Sequence, residues 1–270
     1  MVKIDNKKIL LITGSHPRHR YIANKINDSG LISLIIRQKR EDFVPRAPAD
    51  LDQNLTEIFN NHFKKREITE ETFFGKSSWP DISTVEIEKS EQNSKEVLKI
   101  VKDLKPNLLL SYGCGILSNE ILAAVDGEAW NIHGGLSPWY KGGITLFWPS
   151  YMLQPQMTGM TIHELTDKLD GGDVVHQCKA DLVRGDGLHD LSCRAVEKIG
   201  IELVELIKML FEGKTIVKKS HKTSGKLWIG KDWRPEHLRL IYEFYDDRIV
   251  DHYLNGDFLR EEPNLHRQFK

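Results

Sequence analysis

The sequence predicts an α/β fold, with a mostly parallel sheet and helices on both of its faces. Residues 8–14 form an apolar run that ends in glycine, which is typical of a strand buried on both faces. Residues 21–29 have helical spacing, and a second apolar segment follows at 31–37. A strand, a helix and a strand in this order predict a right-handed parallel unit, as in Rossmann-like sheets.

Residues 40–81 interrupt this alternation of strands and helices. Their apolar residues recur at helical spacing, which predicts a helix that packs one face on the rest of the domain. A lid over a substrate is the other interpretation of this insertion. Beyond it, further strands are predicted at 85–87, 108–111, 159–164 and 174–180, and helices at 97–104, 145–152 and 188–210.

The composition changes after Gly213, which ends the long helix. An aromatic strand is predicted at 227–229, and two helices are predicted at 235–245 and 247–254. The chain therefore divides into a main domain, residues 1–213 with the insertion at about 40–81, and a small α+β C-terminal extension, residues 214–270.

Composition limits the class of protein. The 270 residues carry 38 basic and 39 acidic side chains, so the formal net charge of −1 provides no general field for nucleic acid. The three cysteines have no CxxC spacing, which favours a reducing compartment. No apolar stretch approaches the ~20 residues of a membrane span. We therefore expect a cytoplasmic protein without a membrane partner, and the prediction allows for a homodimer.

Three polar residues suggest a catalytic site. Asn131 and His133 lie two positions apart at the end of a predicted strand, so their side chains share one face. The intervening loop, helix, strand and turn can bring Asp170 to the same place. An amide that holds a carbonyl oxygen, an imidazole that titrates near neutral pH and a carboxylate beside it suit acyl transfer to an amine. For any one of them alone, a structural role in a cap or turn is the better interpretation.

Two loops at strand ends are candidate ligand sites. Between the first strand and helix, a loop offers free amides and basic side chains to a phosphate, although a charged turn is an equal interpretation. After residues 108–111, Gly113 and Gly115 allow a ligand to approach the backbone closely. The residues of the first loop assigned to substrate binding are Gly14, Ser15, His16, Arg18 and His19.

Two other chemistries are disfavoured. His133, His163 and His176 are near Asp170 in sequence, but their spacing matches neither HExxH nor a Cys/His zinc pattern, so we predict no metal site. Ser137 and Cys114 lack a GxSxG context for a nucleophile.

The motifs around these residues resemble the formyltransferase family that uses 10-formyltetrahydrofolate. The resemblance is carried by Asn131-Ile132-His133, by the loop 136–142 (LSPWYKG), by Gly159-Met160-Thr161 and by Leu169-Asp170-Gly171-Gly172. It implies that Asn131, His133 and Asp170 are catalytic, and that 10-formyltetrahydrofolate is the formyl donor. It further implies that the pterin ring is bound by Cys114, Gly115, Ile116, Leu117, Leu165, Thr166, Asp167 and Leu169.

Within this family, the size of the chain and its 136–142 loop look most similar to the sugar N-formyltransferases. The resemblance thus implies a nucleotide-linked amino sugar as the acceptor, with Tyr140 and Lys141 joining the first loop in substrate binding. Other amine acceptors, such as methionyl-tRNA or a hydroxyornithine, remain alternatives, as do a formyltetrahydrofolate hydrolase and a non-catalytic folate-binding module. The proposed mechanism has Asn131 and a protonated His133 stabilising the oxyanion, with Asp170 setting the state of His133.

Overall fold

The computed structural model describes residues 7–28, 30–40, 42–220 and 225–269. Residues 1–6, Ser29, Glu41, 221–224 and Lys270, which belong to ranges predicted above, lie outside the described residues. In chain order the elements are β1 (Ile9–Thr13), α1 (Pro17–Asn27), β2 (Ile32–Gln38), α2 (Gln53–Phe74), β3 (Thr84–Ile87), α3 (Lys95–Leu104), β4 (Leu108–Tyr112), α4 (Asn119–Ala123), β5 (Glu128–His133), β6 (Tyr140–Gly142), α5 (Trp148–Tyr151), β7 (Gly159–Glu164), β8 (Val174–Lys179), α6 (Leu188–Phe211), β9 (Lys226–Trp228), α7 (His237–Arg239), a π-helical turn (Leu240–Phe244) and α8 (Ile249–Asn255).

Seven strands form one sheet in the order β3-β2-β1-β4-β5-β7-β8. The neighbours from β3 to β5 are parallel, whereas β7 is antiparallel to both β5 and β8. This mostly parallel sheet with helices on both faces confirms the predicted α/β fold class. The carboxyl ends of β1, β4 and β5 meet along one edge, which is where open α/β sheets place their ligand sites.

Each face of the sheet is covered by helices that carry an apolar stripe. On one face, α1 and α6 pack through residues such as Ile22 and Leu203. On the other, α3 and α4 pack through Val101 and Ile121. The sheet is therefore buried between two helical layers, and ligands can reach it only at its edges. In the part of the chain that the structure describes, no helix has the length and apolarity needed to cross a membrane.

A separate apolar core joins α2, the segment after β6 and the C-terminal extension. β9 of the extension pairs in parallel with β6, with Gly142 opposite Trp228. Trp148 and Trp228 stack with their ring centroids 4.0 Å apart. The described part of the extension thus packs directly on the main domain, and it fixes the chain on either side of β6.

The final described residues cover the edge of the sheet beside β8. The backbone N–H of Gln177 donates to the carbonyl of His266 at 2.8 Å, and the N–H of His266 donates to Gln177 Oε1 at 3.1 Å. These bonds satisfy an edge that would otherwise be available to another strand.

Candidate active site

Asn131 and His133 lie near the carboxyl end of β5, with their side chains on one face as the strand period requires. β7 runs antiparallel to β5 and places His163 directly opposite Asn131. Asn131 Nδ2 donates to His163 Nε2 at 3.1 Å. The strand pairing therefore adds a second imidazole to the predicted set.

Asp170 reaches this site from the loop between β7 and β8. Its backbone has a φ of 47°, a left-handed conformation that aspartate tolerates better than most residues. Asp170 Oδ2 accepts a hydrogen bond from the N–H of Gly142 at 2.7 Å and lies 3.5 Å from His133 Nδ1. Asp170 Oδ1 lies 3.3 Å from His163 Nε2. The carboxylate thus contacts both imidazoles, and β6 holds it in place.

His163 is a functional candidate that the sequence analysis considered only as a metal ligand. Its Nδ1 donates to the carbonyl of Glu164 at 2.8 Å, so the hydrogen of a neutral ring is on Nδ1. Nε2 then faces both the amide of Asn131 and the carboxylate of Asp170. The alternation of Thr161 and His163 along β7 was the available signal, but it has meaning only once β7 is known to pair antiparallel with β5.

The protonation of His133 differs from the expectation. Its Nε2 lies 2.9 Å from the carbonyl of Tyr140, so Nε2 carries a hydrogen and donates it. Burial lowers the pKa of His133, against the opposing effect of Asp170. Burial alone would raise the pKa of Asp170, but His133, His163 and the N–H of Gly142 lower it to about 2. At neutral pH the resting pair is a neutral imidazole beside a carboxylate, with Nδ1 of His133 ready to accept a proton.

These residues line a cleft of about 560 Å³ at the edge of the sheet. One side of the cleft, which we call the loop arm, consists of residues 113–116 and 165–169. A second part of the lining, which we call the helix arm, is formed by residue 16 and the start of α1, by Arg40, one face of α2, Phe147, the start of α6 and Trp233. Asn131, His133, His163 and Asp170 also line the cleft.

The loop arm has mainly apolar side chains. Cys114, Gly115, Ile116, Leu165, Thr166 and Leu169 line the cleft, and Ile116 and Leu169 are each 44% exposed. Leu117 is instead buried in the core beneath α3 and α4, and Asp167 is exposed outside the lining. Burial raises the pKa of Cys114 to about 12, so this residue is a neutral thiol at physiological pH.

The helix arm brings together residues from distant parts of the chain. Arg18 forms a buried ion pair with Glu70, which projects from α2. His19 and Tyr112 pack edge to face with centroids 4.7 Å apart, and burial lowers the pKa of His19 well below its usual value. The residues of this arm that line the cleft include His16, Arg18, His19, Arg40, His62, Phe63, Arg66, Glu70, Phe147, His189 and Trp233.

The remaining residues assigned to substrate binding lie outside the cleft lining. Gly14 and Ser15 are beside it, where Ser15 Oγ accepts from the N–H of Arg40. Tyr140 contributes its backbone carbonyl to His133, and its hydroxyl donates to Gln154. Lys141 lies in β6, paired with β9.

Arg40 and Arg66 also line the cleft, although neither was predicted to do so from the sequence. The guanidinium of Arg66 lies over the rings of Phe43 and Phe63, at 4.4 and 4.7 Å from their centroids. In the sequence, the one indication that Arg66 faces the cleft is its position four residues after His62, which places both residues on the same face of α2.

The histidines weighed as metal ligands have other partners. His176 is bonded to Glu202 of α6 at 2.8 Å, on the strand face opposite His163. Within the described ranges, no three His, Cys, Asp or Glu residues are arranged to hold a metal ion.

We therefore predict that incubation with EDTA leaves turnover unchanged. Loss of activity with EDTA and recovery with zinc would contradict this prediction.

We predict that His163→Phe lowers kcat by ten- to a hundredfold. An aromatic ring is kept, but Asn131 loses its acceptor and Asp170 loses a neighbouring imidazole, and a buried donor left without a partner costs about 1–3 kcal/mol. Steady-state kinetics measures the effect, with His252→Phe on α8 as a control because His252 is bonded to Asp257 away from the cleft. Equal kcat values in the two variants would remove His163 from the site.

The chain is similar in sequence and in fold to proteins of known class. A sequence model described as formyl transferase matches residues 8–207. A sugar N-formyltransferase from Shewanella sp. aligns with a TM-score of 0.56 and 15% identity, covering 87% of each chain. A phosphoribosylglycinamide formyltransferase from Anaplasma phagocytophilum aligns with a TM-score of 0.56 and 15% identity, covering 83% of this chain and 98% of the other. A formyltransferase from Anoxybacillus kamchatkensis, in complex with UDP-4,6-dideoxy-4-formamido-L-AltNAc and tetrahydrofolate, aligns with a TM-score of 0.50 and 18% identity, covering 90% and 95%.

Proposed function

Because the chain belongs to the formyl transferase family, we propose that it moves a formyl group from 10-formyltetrahydrofolate to a primary amine. The observation that supports this most strongly is the polar network in the cleft. Asn131, His133, His163 and Asp170 are joined by contacts of 3.1–3.5 Å. An amide donor, a neutral imidazole and an ionised carboxylate are the groups that acyl transfer to an amine needs.

The loop arm fits the folate donor. Ile116, Leu165 and Leu169 provide apolar walls for a flat ring, and the backbone groups of the two segments can bind the polar edge of the pterin. Gly113 and Gly115 keep this backbone close to the side chains behind it, because a Cβ at either position would lie within 2.7 Å of His19 or Gln92. When bound, 10-formyltetrahydrofolate supplies the formyl carbon that the amine attacks.

The catalytic residues have distinct tasks. Asn131 has two N–H groups on Nδ2, of which one is directed to His163, so the other can donate to an oxygen that gains negative charge. His133 can take up a proton at Nδ1, because Nε2 is held by Tyr140. Asp170 stays ionised and stabilises the imidazolium that forms. His163 positions Asn131 and Asp170 relative to each other.

For the acceptor, we propose a nucleotide-linked amino sugar. The fold similarity to sugar N-formyltransferases supports it, as does the local charge of the helix arm. Arg40 and Arg66 line the cleft in a chain whose net charge is −1, so cations are concentrated where a diphosphate could bind. Arg18 contributes less to this positive charge, because it forms an ion pair with Glu70.

The test is an acceptor screen with 10-formyltetrahydrofolate, in which the release of tetrahydrofolate is followed spectroscopically. We expect rapid release with dTDP- or UDP-linked amino sugars and slow release without an amine. Equal release of formate with and without an amine would identify a hydrolase. Turnover with glycinamide ribonucleotide but with no amino sugar would show that glycinamide ribonucleotide is the acceptor. Folate binding without any turnover would indicate a binding module.

A further inference from the structure

Two buried hydrogen-bond acceptors in the helix arm have no partner among the described residues. They are Glu70 Oε2 and His189 Nε2. Both residues line the cleft, and they are only 2% and 8% exposed. An unsatisfied buried polar atom costs about 1–3 kcal/mol, so each atom is a candidate to accept a hydrogen bond from an N–H or O–H group of a ligand that enters the cleft.

The state of His189 defines what it can bind. The ring of His189 interacts with the backbone carbonyl of His62, which can only accept a hydrogen bond. The ring nitrogen that faces this carbonyl therefore carries the hydrogen of the neutral ring, and the lone pair is on the other nitrogen, Nε2. The ring of His189 lies against the ring of His62, with centroids 4.5 Å apart. Burial lowers the pKa of both histidines, that of His62 to about 3. His189 therefore presents a neutral acceptor to the cleft.

Glu70 presents a second acceptor from α2. Its Oε1 is engaged by Arg18, and this ion pair holds the carboxylate in a fixed orientation. Neither Glu70 Oε2 nor His189 Nε2 can donate to a phosphate, and the carboxylate would repel one. The two atoms thus favour an uncharged group with donor hydrogens. Arg40 and Arg66, which line the same arm, instead favour an anionic group.

The side chains around them are aromatic. Phe63, Phe147 and Trp233 line the same arm, with the rings of Phe147 and Trp233 6.2 Å apart. A sugar ring has apolar C–H surfaces that pack on aromatic rings and hydroxyl groups that donate hydrogen bonds at its rim. Apolar walls together with buried acceptors therefore suit a sugar better than a phosphate.

We propose that Glu70 and His189 bind hydroxyl groups of the acceptor's sugar ring and thereby determine its specificity. This inference rests on the proposed function, since it places the amino sugar against the helix arm. Arg40 and Arg66, which also line the cleft, mark the direction of the diphosphate.

The test compares Michaelis constants of His189→Phe and Glu70→Gln with those of matched controls. His252→Phe and Glu67→Gln are suitable controls, because His252 lies outside the cleft and Glu67 is an exposed residue of α2. The probes are dTDP- and UDP-linked 4-amino-4,6-dideoxyglucose and their 2-deoxy and 3-deoxy analogues. We expect each cleft variant to raise the KM for the parent acceptors about three- to tenfold and to leave the KM for the folate donor unchanged.

The deoxy analogues give the sharper result. For the wild-type protein, the analogue that lacks the hydroxyl bound by His189 should have a KM about three- to tenfold higher than the parent sugar. For His189→Phe, the KM values of the analogue and of the parent sugar should be equal. If the wild-type protein formylates the parent sugars and both cleft variants keep its KM, water is the partner of these atoms and the inference is wrong. If the wild-type protein formylates none of the sugars, the proposed acceptor and this inference both fail. A thermal melt of each variant checks its folding, and His189→Gln, which retains an acceptor, should recover part of the affinity.

Discussion

Replacement of His133 by asparagine is expected to lower kcat by about 10² to 10⁴, the usual contribution of a general acid-base group. In the proposed mechanism His133 Nδ1 accepts the proton beside an ionised carboxylate, and asparagine cannot take up a proton there. The substitution leaves the loop arm intact, so the affinity for the folate donor should hardly change. Single-turnover kinetics and a folate-binding titration measure the two quantities separately.

The pH dependence distinguishes loss of the proton acceptor from a distorted site. In the wild-type protein, activity needs neutral His133 and therefore falls as pH drops through the pKa of this residue. Burial lowers that pKa below its usual value of 6.5, so the midpoint of the acidic fall should lie below pH 6.5. In His133→Asn this part of the profile should disappear. An unchanged profile at reduced rate would show that another group accepts the proton.

Replacement of Asp170 by asparagine is expected to lower kcat by about 10² or more. The carboxylate stabilises the imidazolium of His133, while the amide of asparagine carries no charge. Burial lowers the pKa of His133 and the carboxylate of Asp170 raises it, so the substitution removes the raising effect. The pKa of His133 should therefore fall further, and the acidic decline of activity should move to lower pH as the maximal rate drops.

A control and a double variant complete this comparison. Asp173→Asn, in the same loop but outside the cleft lining, should keep wild-type kinetics. Since His133 and Asp170 act as one unit, His133→Asn with Asp170→Asn should be little slower than the slower single variant. If the reductions in kcat of the two single variants multiply in the double variant, the two residues act independently. If the acidic fall of activity moves to higher pH in Asp170→Asn, the carboxylate does not raise the pKa of His133.

Much of the fold could be predicted from periodicity. The bounds of β7 agree with the predicted 159–164, and α6 begins at the predicted Leu188. α3 begins after Ser94, whose hydroxyl oxygen caps the helix by accepting from the N–H of Val97. Runs of apolar residues and capping side chains are local signals, and they determine where an element begins and ends.

Other parts of the site depend on which distant segments meet. Local periodicity does not specify that β7 pairs antiparallel with β5, so the contact of His163 with Asn131 could not be predicted. The ion pair of Arg18 with Glu70 has the same origin, because it joins the first helix to the insertion. The pairing of Lys141 with β9 is also a contact between distant segments, and Lys141 lies outside the cleft lining.

The ladder between β6 and β9 has a consequence for protein synthesis. β6 supplies the Tyr140 carbonyl to His133 and the Gly142 N–H to Asp170, and the N–H of Gly143 donates to Trp228 at 2.8 Å. The side chains that we propose to be catalytic end at Asp170, so they are synthesised before residues 226–228. A nascent chain that already contains Asp170 thus lacks the strand that holds the backbone of its active site, and competence for catalysis is acquired late in translation.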